Sequence, residues 1–303
     1  MTITPLRSVL FVPGINLAAI AKARTLACDA VILDLEDAVG PDMKAGARTA
    51  VKGALVEGGF SAPLVAVRVN GADTPWARDD IAAVAAENPG AILIPKVGSA
   101  GELKEARERI TAASSGGVRL WANVETCLGV LEARAIAGAA ATVGLDALVF
   151  GQNDLSRDMG RRPSRDRRML HTAMSLTVLA ARAAGLAVID GVFNDFTDLE
   201  AFEAECREGR AFGFDGKAVI HPTQIGVANA VFGPDAEDVA WARAVVAAFG
   251  DPANAGLGAV KVMGGMAERL HLDQAERILA LAGQSETAGD RSPAARRDLG
   301  PGS

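Results

Sequence analysis

VILDLEDAVG, residues 31–40, carries three apolar residues, Val31, Ile32 and Leu33, straight into the carboxylates Asp34, Glu36 and Asp37. So short and continuous an apolar run suits a strand buried on both faces, as in a parallel sheet. The acidic end fits either a solvated loop or a site at the rim of an α/β fold. Whatever the chain places at equivalent positions elsewhere decides between the two.

Runs of the same kind recur at 8–12, 64–69, 91–96, 119–125, 147–151, 186–190 and 217–221, with 30–35 as the second of the series. Between them lie Ala-rich segments such as NLAAIAKARTLACD and AGELKEARERITAA, whose apolar residues return at helical spacing. Eight strands alternating with helices in this way predict a (β/α)8 barrel (TIM barrel), with an open doubly wound sheet as the competing α/β architecture. The predicted boundaries are a barrel domain over 1–232 and a C-terminal helical appendage over 233–283, expected to pack on a neighbouring subunit's site. The polar, Gly/Pro/Ser-rich stretch 284–303 is expected to be disordered.

The whole-chain properties narrow the function classes. With 31 basic and 37 acidic residues interspersed over 303, the net charge of −6 offers no basic face for nucleic acid. No apolar run approaches the roughly 20 residues of a membrane helix, and the N-terminus lacks a signal-peptide pattern, so a cytoplasmic protein is expected. Cys28, Cys127 and Cys206 have neither metal-ligand nor disulfide-framework spacing. With no tyrosine and three histidines, catalysis must lean on carboxylates, Arg, Lys or a metal.

In barrel enzymes the chemistry collects at the C-terminal ends of the strands. There this sequence puts Asp34, Glu36 and Asp37 after strand two, then Arg68 and Asn70, then Lys96, then Asn123 and Glu125. Asp154 follows strand six, Asp190 ends strand seven, and Lys217 and His221 flank strand eight. Any one of these reads as a solvated loop residue; their convergence on one rim points to a site. A rim rich in carboxylate oxygens, without His or thiolate clusters, suits Mg2+ or Mn2+. Glu125 and Asp154, at the ends of adjacent strands, are the best ligand pair.

Eight segments in order, RSVLFVPG (7–14), AVILDLEDAV (30–39), VRVN (67–70), IPKV (94–97), VETCLG (124–129), GQNDLS (151–156), IDGVFNDFTD (189–198) and GFDGKAVIHPTQI (213–225), resemble the citrate lyase β-subunit family of CoA-ester lyases, which includes malyl-CoA and citramalyl-CoA lyases. The resemblance spans about Arg7 to Ala282. It implies a barrel enzyme, homotrimeric or hexameric, that uses Mg2+ to cleave a CoA thioester into an acyl-CoA and a 2-oxo acid. Carried onto this chain, it makes Glu125 and Asp154 the metal ligands and Arg68 a substrate contact. Glu36 and Asp37 fall beside the metal and its waters, and Gln152 and Asn153 face the oxo-acid carboxylate. Arg7, Lys22 and His221 become CoA-side positions, and Lys96, across the rim from Glu36 and Asp37, is a further expected substrate- or CoA-binding residue. Where relatives read D-G-x-M-I-D, this chain has Met263 at the first aspartate and Glu268 at the last, which is the implied proton-transfer residue.

The expected reaction is therefore cleavage or formation of a 3-hydroxyacyl-CoA bearing a carboxylate. The competing readings are a metal-dependent pyruvate aldolase without CoA, a thioester hydrolase, a carrier-protein-dependent lyase subunit, and a barrel that binds CoA esters without turnover.

Overall fold

The computed structural model describes residues 5–289 except 163 and 165. Eight parallel strands close into a barrel in sequence order. They are β1 (Ser8–Pro13), β2 (Ala30–Asp34), β3 (Leu64–Arg68), β4 (Ala91–Ile94), β5 (Arg119–Val124), β6 (Leu145–Phe150), β7 (Ala187–Asp190) and β8 (Gly216–Val219). Closure is by β1 on β8, with Ser8 opposite Lys217 and Leu10 opposite Val219. Around the barrel run α1 (Leu17–Ala23), α2 (Lys44–Glu57), α3 (Ala77–Ala85), α4 (Ala100–Ala113), α5 (Cys127–Leu131), α6 (Ala133–Gly138), α7 (Ala140–Val143), α8 (Gln152–Asp158), α9 (His171–Ala183), α10 (Leu199–Phe212) and α11 (Pro222–Phe232).

Period-two alternation sorts each strand's side chains between two apolar layers. Val9, Ile32, Ala66, Leu93, Trp121, Val149, Ile189 and Ala218 fill the lumen. Leu10, Leu33, Val67, Ile92, Leu148, Val188 and Val219 face outward under the helices. The small residues Ala30, Ala66, Ala91 and Ala147 leave room for Trp121, which is wholly buried. On the outer side α10 shows how a helix is fitted to this layer. Asp198 caps it by accepting from Ala201 N, Phe202 and Cys206 are buried beneath it, and Gly213 (φ 99°) ends it in the left-handed region.

Several strands stop one or two residues earlier than their apolar runs predict. β4 shows why: Pro95 has no N–H for the ladder and Lys96 turns to φ +52°, so the strand ends at Ile94.

The alternation also corrects part of the rim inventory. Ile189 and Ala218 point into the lumen, so Asp190 and Lys217 point outward. There Lys217 Nζ donates to Asp190 (2.8 Å) and Glu205 (2.6 Å), while Arg167 Nη1 donates to both Asp190 oxygens at 2.9 Å. Both residues are fully buried and belong to the layer between sheet and helices, not to the rim. Asn70 is likewise structural: it donates to Leu35 O at 2.9 Å and to Asp80 on α3 at 2.6 Å.

Leu6–Phe232 forms one compact unit, and the described residues from Gly233 onward belong to a second. The second unit comprises α12 (Ala236–Gly250), a two-stranded hairpin of β9 (Ala259–Val262) and β10 (Gly265–Glu268), and α13 (Arg269–Gly289). Its own core joins Ala242 and Val245 to Val260, Val262, Ala267 and Ala275. Asp235 and Asp238 cap α12 reciprocally. Val262 pairs with Gly265, so the hairpin loop is Met263–Gly264, with φ of +48° and +86°. Two successive positive φ values define the type I′ turn that matches strand twist. Of the stretch expected to be disordered, 284–289 continue α13 to its terminal glycine, and 290–303 lie outside the described residues.

Candidate active site

A cavity of about 400 Å3 opens at the C-terminal ends of the strands. Its floor is apolar, from Phe11, Val149 and Ala218; its upper wall carries Asp34, Asp37, Arg68, Asn123, Glu125 and Asp154.

The wall is assembled from strand geometry. Asp34 and Arg68 are register partners at the ends of β2 and β3, and both point inward. Asp34 takes Arg68 Nε and Nη2 at 2.7 Å each, a two-pronged charge-assisted pair. The same carboxylate accepts from Glu36 N (2.9 Å) and Ala38 N (3.2 Å), so it also sets the loop that carries Glu36 and Asp37. Lys44 closes that loop from behind, donating to the carbonyls of Leu35 (2.8 Å) and Glu36 (2.7 Å). The Arg68 guanidinium lies 5.1 Å above the Phe11 ring, leaving Nη1 2.9 Å from Glu36 Oε2 and 3.6 Å from Asp37.

Across the rim, Glu125 is 2 % exposed. Its Oε1 accepts from Lys96 N (2.8 Å) and its Oε2 from Asn123 Nδ2 (2.9 Å). Gly151 is required beside it, since a Cβ there would fall 2.3 Å from Glu125 Oε2. Asp154 follows on the first turn of α8, with Arg157 at 2.6 Å and Lys96 Nζ at 3.9 Å. Lys96 also bonds Glu36 closely and reaches Asp37 at 3.5 Å.

The electrostatics follow from burial and company. Burial pushes the Glu36 carboxyl up to about 7 against the pull of Arg68, and Glu125 adds to the rise. Glu125 is also raised by burial, opposed by Arg68 and reinforced by Asp154. Burial acts upward on Asp37 too, but Arg68 and then Lys96 hold it below the usual carboxylate range.

The oxygen-rich wall fits a hard divalent cation. Glu125 and Asp154 both face the cavity, and the buried Asn123 Oδ1 has no hydrogen-bond partner. Asp34, Glu36, Asp37, Glu125 and Asp154 together outnumber the cations that touch them, Arg68, Lys96 and Arg157. No group of three or more His, Cys, Asp or Glu among the described residues forms a ready-made metal cage.

The remaining candidates are distributed as follows. Gln152 and Asn153 line the cavity; Gln152 Nε2 donates to Val192 O (2.6 Å), and Asn153 pairs its amide with that of Asn194. Glu36 and Lys96 do not line the cavity themselves but contact the lining residues Arg68, Asp37 and Asp154. Arg7 needs correction as a CoA-side position. It precedes β1 at the opposite end of the barrel, where Asp29 takes its Nε and Nη2 at 2.8 Å. Lys22 is exposed on α1 and His221 stacks on Phe196 with centroids 4.5 Å apart; neither lines the cavity. His171 bonds Glu208 away from the cavity, so no histidine among the described residues of the barrel unit stands there as a base. Glu268 ends β10 in the C-terminal unit, exposed, with its N–H donated to His271 Nδ1 at 2.8 Å. Sequence reading missed Phe11, Lys44 and Gly151. Only Gly151 carried a signal, as the glycine between a strand and the NDLS turn.

A closed parallel barrel with carboxylates and a fixed arginine at its C-terminal mouth carries its polar groups where barrel enzymes carry their active sites. The chain belongs to the HpcH/HpaI aldolase/citrate lyase family, whose sequence profile matches residues 7–222. Membership makes it an enzyme of a family whose members include lyases and bears out the resemblance read from the eight segments. It is 44 % identical over 278 residues to a (3S)-malyl-CoA thioesterase of Cereibacter sphaeroides, covering 92 % of this chain and 95 % of that one. It is 33 % identical to the mitochondrial citramalyl-CoA lyase of Homo sapiens, covering 92 % and 86 %. Among solved structures, CitE of Mycobacterium tuberculosis in complex with magnesium, acetoacetate and coenzyme A superposes with a TM-score of 0.73 at 32 % identity, covering 92 % of this chain and 98 % of that one.

Proposed function

We propose that this protein cleaves a 3-hydroxyacyl-CoA bearing a carboxylate, of the malyl-CoA or citramalyl-CoA type, into an acyl-CoA and a 2-oxo acid, with Mg2+ or Mn2+ held by Glu125 and Asp154. The observation that carries this reading is the meeting, in one cavity, of those two carboxylates with the unpartnered Asn123 Oδ1 and the braced Arg68. The metal-, acetoacetate- and CoA-bound relative supports the ligand set. When bound, the ion supplies Lewis acidity to the oxygens of the hydroxy acid.

The chain's own groups supply the rest. Cleavage removes the 3-hydroxyl proton and leaves the electron pair of the broken bond on the thioester enolate, which ends protonated at carbon. Arg68, locked by Asp34, meets that developing negative charge without having to reorient. Gln152 and Asn153 orient the oxo-acid carboxylate, and Lys22 and His221 attend the CoA side. Glu36 and Asp37 hold the cations of the rim in place. Glu268, from a second copy in a cytoplasmic homotrimer or hexamer, exchanges the proton at the acyl carbon.

The 44 % identity to malyl-CoA thioesterases favours a second reading, hydrolysis of the same thioester. Incubating pure protein with (3S)-malyl-CoA and citramalyl-CoA, with and without Mg2+, and resolving products by mass spectrometry separates the two. Acetyl-CoA with glyoxylate or pyruvate marks carbon–carbon cleavage; free CoA with the intact hydroxy acid marks hydrolysis. Glu125→Ala and Asp154→Ala must each abolish turnover while leaving the fold intact. Wild-type turnover by either variant would refute the metal assignment.

A further inference from the structure

Lys96 is the residue of the barrel mouth with the most unusual backbone. Its φ of +52° places a lysine where glycine or asparagine is at ease, just after Pro95 ends β4. This left-handed turn has two results. The Lys96 N–H donates to Glu125 Oε1 at 2.8 Å, and the side chain runs back over the rim into the carboxylates. The ammonium bonds Glu36, reaches Asp37 at 3.5 Å and stands 3.9 Å from Asp154 Oδ1. One residue therefore reaches four of the five acids of the mouth, Glu125 through its backbone and Glu36, Asp37 and Asp154 through its charge, while Asp34 is held by Arg68. Lys96 is not among the residues that line the cavity, and its side chain is 27 % exposed.

We propose that Lys96 is a positioning residue that acts as a resident cation: it compensates the acidic cluster before a divalent ion arrives, and it sets how tightly the free protein holds that ion. The inference rests on the assignment of Glu125 and Asp154 as metal ligands. Two elements of Lys96 act in opposite directions. Its N–H orients Glu125 and so favours the ion. Its ammonium stands beside Asp154, whose Oδ1 is paired more closely with Arg157 at 2.6 Å, and repels the ion from that side of the mouth. An anionic oxo acid adds negative charge to the same mouth and offsets the repulsion, which makes metal and oxo acid bind with positive cooperativity.

The test uses Mn2+ as the probe, with binding to the full-length protein followed by electron paramagnetic resonance of the free ion and by calorimetry, with and without glyoxylate. Lys96→Gly keeps the left-handed backbone and its N–H but removes the charge. Lys96→Met removes the charge and keeps the aliphatic stem, and Lys96→Arg keeps a cation. Removing one unit charge beside a divalent ion should tighten Mn2+ by about tenfold or more in the Gly and Met variants and shrink the gain that glyoxylate brings, while Lys96→Arg stays within about threefold of wild type. Circular dichroism shows which variants fold, and the Gly and Met substitutions strain the backbone differently, so one tests the charge if the other is lost. Mn2+ binding unchanged or weakened in a folded Lys96→Gly or Lys96→Met overturns the inference while leaving the metal assignment standing. No Mn2+ binding by wild type or any variant, with or without glyoxylate, overturns the metal assignment and this inference with it.

Discussion

Replacing Gly151 by alanine tests whether the position of Glu125 is essential. The backbone at Gly151 (φ −102°, ψ 82°) has a negative φ, so the substitution does not force a side chain into the left-handed region. Its effect is steric: the new methyl would lie 2.3 Å from Glu125 Oε2 and 2.4 Å from Glu125 Cβ. The carboxylate end could swing away, but the Cβ is fixed by the backbone directly after β5, so strand end or loop must separate by about 1 Å to reach ordinary contact. Overpacking of this kind costs about 1–3 kcal/mol of stability. A shift of about 1 Å in a group that positions the reactants costs on the order of 100-fold in rate. The expected outcome is a folded variant whose melting temperature falls by a few degrees and whose kcat/KM on the best CoA thioester of the panel falls about 100-fold. Gly151→Ala with wild-type kcat/KM and an unchanged melting temperature would refute the reasoning, because Glu125 would then have to work equally well from elsewhere.

Arg68→Lys keeps the charge but cannot fork onto Asp34; losing one of the two charge-assisted bonds, while each Asp34 oxygen keeps its backbone N–H, should cost about 1.5–3 kcal/mol in urea unfolding, with a large fall in kcat/KM. Glu36→Gln tests the raised carboxyl. Its folded value near 7 lies above the ordinary 4.5, so the folded state holds that proton more tightly, and Glu36 costs the wild type stability as pH rises from about 4.5 through 7. The Gln variant should therefore match wild type near pH 5 and exceed it by on the order of 3 kcal/mol at pH 8 by chemical denaturation; the opposite trend would mean that the ion pairs with Arg68 and Lys96 outweigh burial. Met263→Asn puts a residue that tolerates positive φ into the first position of the type I′ turn and should stabilise the C-terminal unit by about 1 kcal/mol, read by hydrogen exchange over β9 and β10.

The barrel was legible because its strands are continuous apolar runs at regular spacing, and β1 to β8 fall within two residues of where those runs lie. The carboxylates of the mouth were legible for the same reason, as polar breaks at strand ends. What was lost is direction. Asp190 ends its strand as Asp34 does, yet one residue's difference in phase turns it outward onto Lys217 and Arg167. A run of four apolar residues carries no mark of which face is the lumen. Arg7 was placed on the CoA side only through the resemblance, whereas it lies before β1 begins, away from the cavity. The bracing of Arg68 by Asp34 and Phe11 depends on register between strands over 20 residues apart, which no local pattern encodes. The Met263 position shows the reverse. Set against the aspartate expected from relatives, it reads as a change in chemistry, but its positive φ makes it first a matter of turn geometry.

Closure of β1 on β8 has a consequence for how the chain is made. Ser8 and Lys217 are register partners, so the strand synthesised first cannot satisfy its outer edge until the chain some 209 residues later has been translated (217 − 8). At about 5–20 residues per second that is a wait of roughly 10–40 s. Throughout it, the N–H and C=O groups along one side of SVLFVP form an unpaired edge able to recruit other nascent chains. The mature barrel has no such edge. The risk of aggregation is thus concentrated in the period before Val219 emerges, and a chaperone that shields the β1 edge should raise soluble yield far more than one supplied after synthesis is complete.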